Sequence, residues 1–245
     1  MDLDRRSFVM GMATGGALLA FGGLRPAALA NPTGGVPGGC RLLLGHPEAA
    51  PAFARGARAV LARAGCRELG IVDAPGGPIA AHDALRAQLA RAQGTRWIAL
   101  VDDGGAALFQ ELVRAASGRL LARGNHACAA DGAVPLRHVW VAASPTWSAR
   151  ALLASSLTGT GASFSVAEDV LGAAPSPPVP PAAGVDTFVR RSPDWIECVG
   201  QAVAAAALGL GAAAASAVEP RFVHRAAREQ GTLPTRRLAT FVADL

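Results

Sequence analysis

Between residues 40 and 116 the apolar positions follow two rhythms. Cys40–Leu44, Leu69–Val72 and Trp97–Val101 are short apolar runs. The segments 48–64, 82–93 and 106–116 instead space their apolar residues at helical intervals. Phe53, Ala57, Val60 and Leu61 share one face of the first, and Leu108, Leu112 and Val113 one face of the third. A short apolar run bounded by turn residues reads as a strand covered on both faces; the 3.6-residue spacing reads as a helix with one buried stripe. Their alternation predicts βαβ units. The expected fold is therefore α/β, a mostly parallel sheet with helices on both faces. Gly118 reads as the stop of the third helix.

The pattern changes after that helix. Arg119–Cys128 and Leu136–Ala143 read as two strands joined around Asp131-Gly132, which adds one antiparallel hairpin. Ser144-Pro145 offers an N-cap and a first-turn proline for a helix over 146–157, ended by Gly159 and Gly161. Residues 163–167 read as a further strand. Pro175, Pro177, Pro178, Pro180 and Pro181 make 173–184 a proline-rich linker or surface loop. Residues 193–217 then predict one long Ala-rich helix, and 238–242 a closing strand. No internal repeat is visible, and the stretch beyond the prolines is short for a core of its own. Residues 40–245 are thus expected to form one domain. Cys198–Val218 is dominated by Ala and Gly, which gain little on transfer to lipid compared with Leu or Phe. A helix buried against the sheet is expected there rather than a membrane span.

Composition narrows the function classes. Of the 245 residues, 51% are hydrophobic and 17% charged, which excludes a disordered chain. Every one of the 23 basic residues is Arg and Tyr is absent, for a net charge of +5. The arginines are scattered, adjacent only at Arg5-Arg6, Arg190-Arg191 and Arg236-Arg237. Without a basic stripe interleaved with aromatics, nucleic acid is not an expected partner.

The first thirty residues carry a sharper signal. Arg5-Arg6-Ser7-Phe8 precedes an uncharged, glycine-diluted apolar stretch to Leu24, then Arg25, then Ala28-Leu29-Ala30 as a small-x-small cleavage site. This resembles the twin-arginine (Tat) signal peptide, with Arg5, Arg6 and Phe8 matching its motif. Asp4, Val9 and Met10 depart from the commoner residues at their positions. The resemblance implies export of a folded protein by the Tat translocase, cleavage after Ala30 and a periplasmic location. An uncleaved anchor is the alternative. Residues 31–39 would form a flexible leader, and the mature protein is expected to be soluble.

In open α/β sheets ligands gather at the carboxyl ends of the strands. The residues that qualify are His46 after the first strand, Asp73 after the second, and Asp102 and Asp103 after the third. The turn 44–49 lacks G-x-G-x-x-G, and Pro47 removes an amide, so a dinucleotide site is rejected. Asp102 and Asp103 suit a metal or acid–base work; the plainer reading makes one a helix cap and leaves the other in solvent. On the hairpin, His126 and Cys128 share a face, and a three-residue loop at 131–133 would put His138 opposite His126. Those three are zinc or copper donors if they converge. Otherwise they are ordinary hairpin polar residues, and no cofactor is needed. His82 and His224 read as solvated surface residues. Cys40, Cys66, Cys128 and Cys198 allow three disulfide pairings, with Cys40 and Cys66 bracketing the first helix. No Gly-x-Ser-x-Gly, His-Glu-x-x-His, phosphate loop or Cys-x-x-Cys occurs. The leading expectation is an exported, non-catalytic small-ligand-binding or accessory module. The alternatives are a metal-dependent enzyme or carrier using the hairpin, and an interaction protein docking through its prolines.

Overall fold

The structure, a computed structural model, describes residues 39–128, 136–158, 164–171, 194–210 and 236–245. The signal segment 1–30, most of the leader, the hairpin turn, the prolines of 173–184, residues 211–217 and His224 lie outside these. The described elements are β1 (Cys40–Leu44), α1 (Ala50–Arg63), β2 (Glu68–Asp73), the single turn α2 (Gly77–Ala80), α3 (His82–Ala90), β3 (Arg96–Asp102) and α4 (Asp103–Ala115). There follow β4 (Arg119–Cys128), β5 (Leu136–Ala142), a 3₁₀ turn (Pro145–Trp147), α5 (Arg150–Thr158), β6 (Phe164–Val170), α6 (Asp194–Ala207) and β7 (Arg236–Asp244).

The seven strands form one mixed sheet in the order β2-β1-β3-β7-β4-β5-β6. Parallel ladders join β2 to β1, β1 to β3 and β5 to β6. The antiparallel ladders, β3–β7, β7–β4 and β4–β5, all involve β7 or β4. The α/β fold, with its antiparallel hairpin and helices on both faces, is as the periodicity predicts. What the pattern did not locate is the closing strand. It enters the middle of the sheet, between β3 and β4, and pairs with the backbone groups along one edge of each.

Alternation along β3 divides the interior. Ile98 and Leu100 enter a core built with α1, α5 and α6; Trp97, Ala99 and Val101 enter a second core with α3 and α4. All five side chains are fully buried. On the first face α1 and α6 touch through backbone. A Cβ on Gly56 would lie 2.1 Å from the Glu197 carbonyl oxygen, and one on Gly200 would lie 2.2 Å from that of Phe53. The Ala-rich segment is therefore a core helix with small side chains: Ala202 and 204–207 are buried.

Four local expectations change. The helix expected over 193–217 ends at Ala207, where Gly209 (φ +67°) closes it: the Gly209 amide donates to Ala206 O and that of Leu210 to Ala205 O. This is the pair of bonds that satisfies the orphan carbonyls of a Schellman end. Helix α4 ends the same way, but Ser117 (φ +58°), not Gly118, occupies the left-handed position. Gly118 is needed instead for close approach, since a Cβ there would lie 2.8 Å from the Asp244 carbonyl oxygen. The helix expected from Thr146 starts only at Arg150, after the 3₁₀ turn, and Ser144 makes no side-chain cap. The capping acceptor is Glu168 of β6, whose carboxylate takes the Ala149 amide (3.0 Å), the Arg150 amide (3.3 Å) and the Ser148 hydroxyl (2.8 Å). A partner from another strand leaves no local signature.

The helix contact yields a stability test. Gly200→Ala should destabilise the protein by at least about 3 kcal/mol, because the methyl group meets an immobile carbonyl rather than a flexible side chain. Urea unfolding of the variant measures this; a loss under about 1 kcal/mol would mean that the two backbones are not in contact.

Candidate functional site

The carboxyl ends of β1, β2 and β3 share one edge of the sheet, and the segments that follow them pack together there. A Cβ on Gly45 would lie 3.3 Å from Pro78 Cδ and 3.2 Å from Val101; one on Gly105 would lie 2.6 Å from the same Pro78 carbon. Asp102 is the N-cap of α4, its Oδ1 accepting the Gly105 amide at 2.6 Å. Asp103, in the first helical turn, faces solvent. His46 is half-buried at the start of α1, with Nδ1 3.4 Å from the Ala49 amide. Asp73 is exposed at the end of the edge strand β2. These four candidates line one rim, and no hydrogen bond or ion pair joins any two of them.

The hairpin brings its histidines together. His126 stands directly opposite His138, the register that a three-residue loop would impose. Both rings are buried and their Nδ1 atoms are 2.9 Å apart, one donating its proton to the other. The other nitrogen of His126, Nε2, is 2.9 Å from the hydroxyl of Thr240 on β7. Gly124 makes room for this ring: a Cβ there would lie 2.6 Å from His126 Nε2 and 2.5 Å from Thr240 Oγ1. Trp195 of α6 covers His138, the ring centroids 5.8 Å apart. His138 Nε2 is buried without a hydrogen-bond partner among the described residues. Cys128 is buried two residues along the same face.

The chemistry of this chain is that of neutral imidazoles. Burial pushes His126 well below its ordinary value, with the neighbouring ring adding to the effect, and burial pushes His138 down to about 3. The facing nitrogens are engaged with each other, whereas a tetrahedral metal at about 2.0–2.1 Å from each would hold them roughly 3.3 Å apart. Among the described residues no group of three or more His, Cys, Asp and Glu is disposed to hold a metal ion.

A second polar group occupies the opposite face of the same strand. Arg123 is half-buried, its guanidinium 5.7 Å from the centroid of Phe241, which itself packs on Phe109 of α4. Arg123 Nε donates to Asn125 Oδ1 at 3.2 Å, and the charge of Asp103 acts on it from the head of α4. Burial nevertheless dominates and pulls the arginine below its ordinary value. Among the described residues no carboxylate pairs with it at ion-pair distance. Across the β4–β5 ladder Val139 and Val141 lie beside it, and the exposed Arg137 further along. The sequence singled out His126, Cys128 and His138 on this hairpin. Arg123 and Thr240 were nevertheless missed as functional candidates, since the site of each depends on where β7 enters.

Fold and site together define a class: an α/β protein with a mixed sheet, carrying a neutral imidazole pair on one face and a half-buried guanidinium on the other. No family model matches the chain, and neither a curated protein nor a solved structure is significantly similar to it.

The histidine pair predicts acid sensitivity. The unfolded chain takes up protons on these side chains below about pH 6.5, whereas the folded core holds His138 neutral down to about pH 3 and His126 neutral well below its ordinary value. Their contribution to stability is therefore complete above pH 6.5 and declines as pH falls through that window. Between pH 7 and pH 5 the loss should be about 2 kcal/mol per histidine. Chemical unfolding at the two pH values measures it, and His138→Phe should remove its share of the slope. Equal stability at both pH values would contradict a neutral buried pair.

Proposed function

We propose that the protein is an exported, non-catalytic binding module that takes a small anionic ligand at Arg123. The observation that carries this reading is the half-buried guanidinium with one side-chain partner, Asn125, and no paired carboxylate among the described residues. A buried charge is costly unless paired, so an incoming carboxylate or phosphate gains a charge-assisted, bidentate contact where the protein supplies none. Phe241 supplies a flat apolar wall beneath it and Asn125 a second polar group. The charge of Asp103 acts on the guanidinium from the head of α4. The rim candidates His46, Asp73 and Asp102 belong to the neighbouring edge, and Asp102 serves there as a cap. The hydrogen bond between the two imidazoles favours this reading over a metal centre on the hairpin. No helix among the described residues is long and apolar enough to cross a membrane, which supports a soluble mature form.

The ligand assignment is tested by thermal unfolding of the purified protein with inorganic phosphate and a series of small mono- and dicarboxylates. At about a hundred times its dissociation constant a bound anion should raise Tm by roughly 5–10 °C. Arg123→Gln should weaken that anion at least about tenfold without lowering the stability of the free protein. If none of the anions raises Tm, or if the shift survives in R123Q, the assignment fails.

Export rests on Arg5-Arg6-x-Phe8 and Ala28-Leu29-Ala30. Replacing both arginines by Lys should leave precursor in the cytoplasm, and the exported protein should begin at Asn31. Undiminished export of the double variant, or in cells lacking the Tat translocase, would refute this route.

A further inference from the structure

All four cysteines are buried, and two of them face each other in the core. The Sγ atoms of Cys40 and Cys66 are 3.3 Å apart, with both side chains buried. Each backbone is held in place. Cys66 follows Gly65 (φ +65°) in the Schellman end of α1, its amide donating to Leu61 O at 2.9 Å while that of Gly65 donates to Ala62 O at 3.1 Å. Cys40 opens β1, and its amide donates to Arg67 O at 2.9 Å, one residue beyond Cys66. The sulfurs thus sit inside van der Waals contact, and about 1.2 Å of approach by side-chain rotation would reach bonding distance. The other two thiols are engaged elsewhere: Cys198 lies 3.6 Å from Ser156 O, and Cys128 is at the far end of β4.

We propose that Cys40 and Cys66 are joined by a disulfide, introduced into the folded protein by exchange with a protein or small-molecule disulfide. The less buried Cys66 attacks one sulfur of that reagent as a thiolate and expels its first thiolate. Cys40, giving up its proton, then attacks Cys66 Sγ in the mixed disulfide; the Cys40–Cys66 bond forms and the second thiolate leaves. Two electrons pass from the cysteines to the reagent, whose two thiols carry away the two protons. The fold does not require the bond, since the core packs around the two thiols in their reduced form. Burial and the adjacent thiol push Cys40 up to about 12, with Arg96 and Asp244 also acting on it, so the pair suits a lasting structural link rather than a thiolate used in turnover. The link would tie the first strand to the end of the first helix, closing the loop between residues 40 and 66. The inference depends on neither the anion site nor the export route.

The full chain, purified reduced and still folded, is incubated with oxidised glutathione, quenched with acid, denatured and alkylated. Mass spectrometry should find two alkylated cysteines instead of four, a mass lower than that of the reduced, alkylated control by two alkyl groups, and one cross-linked peptide pair containing Cys40 and Cys66. Tm should rise by roughly 7–14 °C, as a loop of this length predicts. Four alkylated thiols, a glutathione adduct that persists on Cys66, or a cross-link to Cys128 or Cys198 would each overturn the proposal. The C128S/C198S double variant, which keeps only the facing pair, should lose both of its thiols on oxidation; retention of either is equally decisive against it.

Discussion

Arg96 is a buried guanidinium at the start of β3, and the arrangement of the sheet depends on what it holds. In the β3–β7 register it faces Asp244, with Nε and Nη2 donating to the two carboxylate oxygens at 2.7 and 3.0 Å. Its remaining nitrogen donates to the carbonyl of Ala207 at the end of α6, and its plane lies over Trp147, 4.7 Å from the ring centroid. A single charge thus joins the end of a strand, the end of a helix and the turn after β5. Removing Asp244 would leave the buried guanidinium uncompensated, which is costlier than the pair itself is stabilising; the half-buried carboxylate has a second partner in Arg119 at 3.5 Å. The chain end adds to the lock: the Leu245 amide donates to Thr95 O at 3.1 Å.

That lock seats β7 between two half-sheets, β2-β1-β3 and β4-β5-β6, which no other described strand connects. Once seated, β7 builds both candidate sites. Thr240 points to one face and ends the imidazole chain; Phe241 points to the other and lies beneath Arg123. The two sites stand back to back on the same pair of strands, and the last segment of the chain contributes to each.

Much of this was legible in the sequence, for a physical reason. A strand such as 97–101 is defined by its own continuous apolar run and the hairpin arms by the turn between them, so their bounds fall within a residue or two of expectation. The facing of His126 and His138 was legible only as one of the registers the turn could impose, a choice the sequence could not make. The rest depends on partners remote in sequence. Nothing near Arg150 reveals that Glu168 caps its helix, and nothing near Leu238 reveals that the last strand is central. Gly65 and Gly209 were readable as helix stops, each followed by an apolar residue, and were passed over. Arg123 looked like one scattered arginine among many, because its burial against Phe241 exists only after β7 has entered the sheet.

The central claim is that β7 makes the two half-sheets one cooperative unit. Native-state hydrogen exchange, resolved by residue, tests it most directly. The amides of β1, β3, β7, β4 and β5 should exchange with a common opening free energy equal to that of global unfolding, and Arg96→Ala should lower all of them together. If β4 and β5 open at a distinctly lower free energy while β1 and β3 stay protected, or if R96A loosens only one half, the two halves are independent and the account is wrong.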